Sequence, residues 1–277
     1  QIALSLEDTG HLKPLTPRHR LFYVYFPTQE PVPIPCLIHS FFQLKPARTH
    51  FYECALNEWL CEQVVSFLTS DVLEWLKSCE ERSNQHLKTA LPFLLIPSYS
   101  SSSAAELLRN KLLPALKNTA FVPTVDYHKF VKPSEICLIP DALSAQRVGV
   151  SLSSMFSDKS ISEYFRTDCY FPAAEIQQRP DIIKLLRAYG AKEFTQEVFL
   201  AILDGEAQIH RNELHWFQNL YHFLRNATYI LAQHSKKSAE AFVAKLKQKK
   251  ILLSMNYQLY APNGEVQIFL PPLRHES

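Results

Sequence analysis

Glycine is scarce in this chain, with five in 277 residues. Loops that cradle phosphates depend on glycine, because the backbone must come close to the phosphate oxygens. A self-contained nucleotide site is therefore not expected, and the chain by itself should need no cofactor. The six cysteines, Cys36, Cys54, Cys61, Cys79, Cys137 and Cys169, include no C-x-x-C pair. A chain of this length has no need of a disulfide framework. Free, mostly buried thiols in a reducing compartment follow, which places the chain in the cytoplasm. No stretch approaches the ~18–20 uninterrupted apolar residues of a membrane span. Initiator Met, signal peptide and basic leader are also missing. The chain opens at Gln1 and runs straight into apolar Ile2–Leu6, which reads as a strand of an excised segment whose N-terminal neighbour is absent.

What is present suits a packed α+β protein. Hydrophobic residues make up 47% and charged residues 20%, enough apolar material for a core. The net charge of +2 is too close to neutral to name a polyanionic partner from the total alone. Ile2–Leu6, Leu21–Phe26 and Cys36–Leu44 read as strands, with Asp8-Thr9-Gly10 as a turn. Pro27, Pro31, Pro33 and Pro35 predict an extended connection between the second and third strands. Leu56, Trp59, Leu60, Val64, Phe67, Leu68, Val72 and Leu76 recur at helical spacing and predict one long helix with a single buried stripe. Ser98 to Ser103 reads as a flexible loop, and Ser103 with Glu106 as a capping box. Pro114 should end or kink the helix that follows.

Beyond residue 150 helices dominate. Pro180 opens one helix and Gly190 closes it. Thr195 caps the next, with Phe194 and Phe199 stapled across the cap. Leu214–Ile230 and Ala239–Lys249 are two more. Short strands at Ile251–Leu253, Gln258–Tyr260 and Val266–Leu270 end the chain, with Asn263-Gly264 as a tight turn.

Candidate chemistry is thin. Glu53 and Asn57 stand four apart at a helix start, as a general base and magnesium ligand do in one class of ATP site, but the glycine-bearing segments of that site are missing. His19, His39 and His50 fall among strands, and His210, His215 and His222 along helical sequence, with no zinc-like spacing. No G-x-S-x-G elbow supports a serine nucleophile. Lys236, Lys237, Lys245, Lys247, Lys249 and Lys250 surround a helix with only Glu240 to offset them, followed by a hairpin, so the region is superficially like half of a winged helix. Nucleic acid could be contacted through Lys245, Lys247, Lys249 and Lys250. A solvated helix end is the favoured reading, since cations complement a helix C-terminus.

Residues 20–60 carry a family resemblance. Leu21-Phe22-Tyr23-Val24-Tyr25-Phe26-Pro27-Thr28, then Pro33 to Leu44, Arg48 and Leu56-Asn57-Glu58-Trp59-Leu60 resemble the segment after the ATP-binding domain in sacsin-like, heat-shock-chaperone-type GHKL ATPases. Looser similarity runs through Phe121-Val122-Pro123-Thr124, Lys132-Pro133-Ser134-Glu135, Arg179-Pro180, Tyr189-Gly190 and Phe269-Leu270-Pro271. The resemblance implies a transducer-like α+β domain over 1–120, with helices covering a sheet. A mostly helical domain over 121–277 with a C-terminal hairpin would follow. It implies ATP and magnesium on a missing upstream domain, which would be this chain's partner, and a protein client that the residues do not name. It places the basic residue that senses the γ-phosphate in the turn Lys45-Pro46-Ala47-Arg48. Arg48 is the first candidate and Lys45 the second. The competing readings are an Arg48 ion pair with Glu53 or Glu58, and for the whole chain a non-enzymatic protein or nucleic-acid adaptor.

Overall fold

The computed structural model describes residues 1–3, 5–6, 12–13, 15–78, 102–125, 127 and 129–263. The chain divides into two compact units, Gln1–Ile136 with Pro172–Lys192, and Cys137–Phe171 with Glu193–Ser277. The fold is α+β, with small sheets, many helices and a hairpin near the C-terminus. The contacts do not divide at the expected boundary between residues 120 and 121. Residues 172–192 return to the first unit because the Val122–Pro123 and Phe130–Val131 hairpin holds them. Thr124 bridges Pro172, Ala173 N–H donates to Pro123 O at 2.9 Å, and the Tyr127 hydroxyl donates to Glu175.

The first unit begins with β1 (Ile2–Ala3), β2 (Ser5–Leu6), β3 (Leu12–Lys13), β4 (Leu21–Val24), β5 (Phe26–Pro31) and β6 (Leu37–His39). One mixed sheet runs in the order β1-β6-β4-β5, with β4 parallel to β6 and antiparallel to β5. The proline-rich connection is thus partly a strand. Pro27 and Pro31 are tolerated because β5 is last in the sheet order, where a missing amide donor breaks no ladder. Tyr25, at φ 63°, makes the reversal between β4 and β5. The third strand stops at His39, short of the expected Leu44. Beyond it Gln43 to Tyr52 double back as a small hairpin, with Leu44 bridged to Phe51. Phe22, Phe42 and Phe51 pack ring to ring at centroid distances of 4.4–5.4 Å. Asp8-Thr9-Gly10 lies outside the described residues.

The long helix is α1 (Ala55–Phe67), one π-helical turn over Leu68–Val72, and α2 (Leu73–Ser78). Thr69 Oγ1 and Ser70 Oγ donate back to the carbonyls of Val65 and Ser66 at 2.9 and 2.6 Å; such back-bonding accompanies local widening of a helix. Its buried line is Asn57, Cys61, Val65 and Leu68. The expected stripe is therefore rotated. Leu56, Trp59 and Phe67 are exposed, Trp59 by 52%. α3 (Ser103–Asn118) is capped one residue earlier than expected, by Ser102, whose hydroxyl accepts from Ala105 N–H at 3.1 Å. It runs through Pro114 without ending. Leu108, Leu112 and Leu116 are buried along one face while Pro114 is exposed, so packing of the apolar face holds the helix across the lost hydrogen bond. The serines at 98–101 lie outside the described residues.

In the second unit, α4 (Ala145–Val148) and α5 (Asp158–Phe165) precede the return to the first unit through α6 (Ala174–Gln177) and α7 (Pro180–Ala188). Pro180 opens α7 and Gly190, at φ 92°, follows it. α8 (Gln196–Ile209), α9 (Leu214–His234) and α10 (Lys236–Leu246) complete the second unit with the hairpin Leu252–Leu253/Leu259–Tyr260. Thr195 caps α8 through Val198 N–H. Phe194 and Phe199 both rest on Phe156, at 5.6 and 5.4 Å. Gly149, at φ 77°, follows α4 where an added Cβ would lie 2.8 Å from His222 Nε2, so glycine is required twice over. Gly264 and Val266–Leu270 lie outside the described residues.

Candidate functional site

The turn that the sequence singled out is built by backbone. Arg48 N–H donates to Lys45 O at 2.7 Å, Lys45 N–H to His50 O at 2.8 Å and Tyr52 N–H to Gln43 O at 2.8 Å. Gln29 N–H donates to Thr49 O at 3.0 Å, which docks the hairpin on β5. Pro46 suits the second position of such a turn because its φ is preset. Arg48 itself takes φ 59°, a left-handed conformation that costs a residue with a Cβ on the order of 1 kcal/mol. Lys45 and Arg48 are both exposed. Among the described residues neither forms an ion pair, with Glu53, Glu58 or any other carboxylate.

One step along the chain, Asn57 is buried and fully engaged. Its Oδ1 accepts from Gln43 N–H at 2.7 Å, and its Nδ2 donates to the carbonyls of Gln43 and Tyr52 at 2.8 and 2.7 Å. The amide thus acts as an extra peptide group, clamping the hairpin stem to the first turn of α1. This is what turns α1 so that Trp59 faces water. Beside Asn57, the starts of α1 and α3 enclose a cavity of about 320 Å³. Glu53, Glu58, Glu106, Asn110 and Tyr52 line it, and among the described residues no lysine or arginine does. The glutamates sit against the partly positive ends of two helices.

Sequence reasoning missed two buried carboxylates. Glu30 of β5 accepts from His50 Nδ1 at 3.0 Å and from Phe51 N–H at 3.4 Å, with Thr28 bonded beside it to Phe22 O at 2.8 Å. The signal was the alternation of Thr28 and Glu30 inside a proline-marked strand, which puts both on the inner face. In the second unit Glu206 is fully buried. Its Oε1 accepts from Ser157 N–H at 3.0 Å and Ser157 Oγ at 2.8 Å, and its Oε2 lies 3.4 Å from His210 Nε2. His210 stacks on Trp216 at 5.0 Å. The serine, carboxylate and imidazole are in the wrong order for a nucleophile. Ser157 is bonded to the carboxylate rather than to the imidazole, and it caps α5 by accepting from Ser160 N–H.

The remaining candidates are dispersed. His215 and His222 each lie beside the asparagine one turn on, Asn219 at 3.3 Å and Asn226 at 3.1 Å. Among the described residues no group of three metal-ligating side chains converges. Cys36, Cys61, Cys137 and Cys169 are buried and Cys54 is half-buried, and no disulfide joins them among the described residues. Burial pushes the Cys36 and Cys61 thiols up to about 12, so they are not nucleophiles. Among the described residues no helix is long and apolar enough to cross a membrane. Compared with family models, with curated proteins and with solved structures, the chain matches none.

Proposed function

We propose that this chain is the coupling segment of a sacsin-like GHKL ATPase, working in the cytoplasm. It would relay nucleotide state from an ATP-binding domain outside the chain to a protein partner. The observation that carries the reading is Arg48: an exposed guanidinium with no ion pair among the described residues, on a hairpin braced by four backbone hydrogen bonds. A guanidinium held that way can fork onto phosphate oxygens brought to it and stabilise charge that develops in phosphoryl transfer. Cysteines that form no disulfide among the described residues support a reducing compartment.

The test is ATP hydrolysis by the full-length protein. Arg48→Ala is expected to slow turnover ~30- to 1000-fold, about 2–4 kcal/mol of barrier, with ATP affinity nearly unchanged. Lys45→Ala is the control, because an ammonium supplies a point charge and not a fork. Full activity in both variants would remove the coupling role from this turn. The chain alone should show no low-micromolar affinity for ATP with magnesium by calorimetry, the equivalent of ~8 kcal/mol. The alternative, a non-enzymatic interaction module, is favoured by the exposed rings of Tyr25 and Phe41, whose centroids lie 6.0 Å from each other and 6.4–6.5 Å from that of His39. It predicts no effect of Arg48→Ala on hydrolysis and loss of a protein partner on Tyr25→Ala.

A further inference from the structure

The lysine-rich helix of the second unit is arranged differently from its sequence reading. Lys249 is taken up by Asp204, Nζ to Oδ2 at 3.0 Å, and leaves the basic set. Ala239, Phe242 and Leu246 are the buried residues of α10. At about 100° per residue, the opposite face is centred on Lys237, Ala241, Ala244 and Gln248. Lys236 and Lys247 run along one flank and Lys245 along the other, and every one of these seven residues is exposed. The only carboxylate on the helix, Glu240, is exposed on this same face, 4.0 Å from Lys236, and Glu197 of α8 lies within electrostatic reach of Lys245.

Two features point outward. α9 and α10 both lack an acidic residue in the first turn, but α10 alone of the two starts with two lysines. Cations at a helix N-terminus oppose the dipole, so this end gains when an anion arrives. Small Ala241 and Ala244 keep the exposed face slim between the lysines. The hairpin after it is fixed in place: Asn263 N–H donates to Lys247 O and the Tyr221 hydroxyl donates to Ile251 O, each at 3.0 Å. Its turn presents exposed Met255 and Tyr257.

We propose that the exposed face of α10 docks in the major groove of duplex DNA, with Lys236, Lys237, Lys245 and Lys247 on the phosphates. The major groove of B-form DNA admits a helix, while that of A-form RNA is too narrow for side chains to read. The experiment is fluorescence anisotropy of the whole chain with a labelled DNA duplex of about 20 base pairs, enough for a helix and flanking contacts. Four phosphate contacts predict a log–log salt slope near about −3.6, an affinity loss of about 150-fold between ~50 and ~200 mM salt. Lys236→Gln/Lys237→Gln/Lys247→Gln is expected to lose binding while its thermal midpoint holds or rises, since two cations opposing the dipole are gone. That separates lost contacts from lost fold. No binding by the parent chain at ~50 mM salt overturns the proposal, as does unchanged binding by the triple variant. Binding of polyglutamate as tight as that of the duplex overturns the assignment to DNA.

Discussion

Arg48 occupies a left-handed position that glycine fills without penalty, and its side chain makes no ion pair among the described residues. Arg48→Gly is therefore expected to raise stability by about 0.5–1 kcal/mol, read as a higher denaturant midpoint at constant slope. Arg48→Ala should bring no such relief, so stability and hydrolysis can be separated at one position. Gly149→Ala runs the other way, because its Cβ would meet His222 at 2.8 Å at φ 77°. Asn57→Ala should cost about 2–3 kcal/mol, since it orphans the Gln43 amide and two carbonyls. The buried thiols set a pH dependence. Cys36 and Cys61 have folded values near 12 against an ordinary 9.0, so the folded state holds protons that the unfolded state releases. Their contribution is complete below pH ~9 and falls by up to about 1.4 kcal/mol per pH unit for each thiol as pH rises towards 12. Urea midpoints recorded from pH 8 to 11 would show that decline, and a flat profile would refute it.

Elements announced by local chemistry were legible in the sequence. Pro180, Gly190 and Thr195 each mark a helix end that exists, because caps and turns are decided by a few neighbouring atoms. Elements decided by distant partners were not. The buried side of α1 follows from a clamp between Asn57 and Gln43, 14 residues apart, which periodicity does not report. Apolar spacing selected Trp59 and Phe67, yet both face water. Trp59→Ser should thus change stability by less than about 0.5 kcal/mol, while Val65→Ala, further along the same helix and buried, should cost about 1–2 kcal/mol. Chemical denaturation of the two variants decides between the two faces. β5 was hidden for a related reason: prolines argue against a strand unless the strand is known to be last in its sheet. The site followed the same division. The Lys45–Arg48 turn was singled out by the family resemblance, and the strand expected to lead into it stops at His39, whereas Glu30 and Glu206 owe their burial to residues remote in sequence. On α10, Lys237→Glu should stabilise the helix by about 0.3–1 kcal/mol, measured by the thermal midpoint.

At the scale of the whole molecule, both units are discontinuous. A fragment ending at residue 120 would lack 121–136 and 172–192, including the Pro123–Ala173 hydrogen bond. Such a fragment is expected to be protease-sensitive where the intact chain resists, and a stable, cooperative 1–120 would show that the returning segment is dispensable. The interleaving also sets an order of events during synthesis. The first unit is complete only once Lys192 has been made, after the opening stretch of the second unit has already left the ribosome. At roughly 5–20 residues per second, the first unit waits about 3–11 s between Ile136 and Lys192 with its last piece absent. Throughout that interval its apolar surface, and that of a second unit begun but not closed, is open to chaperones and to neighbouring nascent chains. A slowed stretch of message just after residue 192 should therefore improve the soluble yield, and one between 136 and 172 should reduce it.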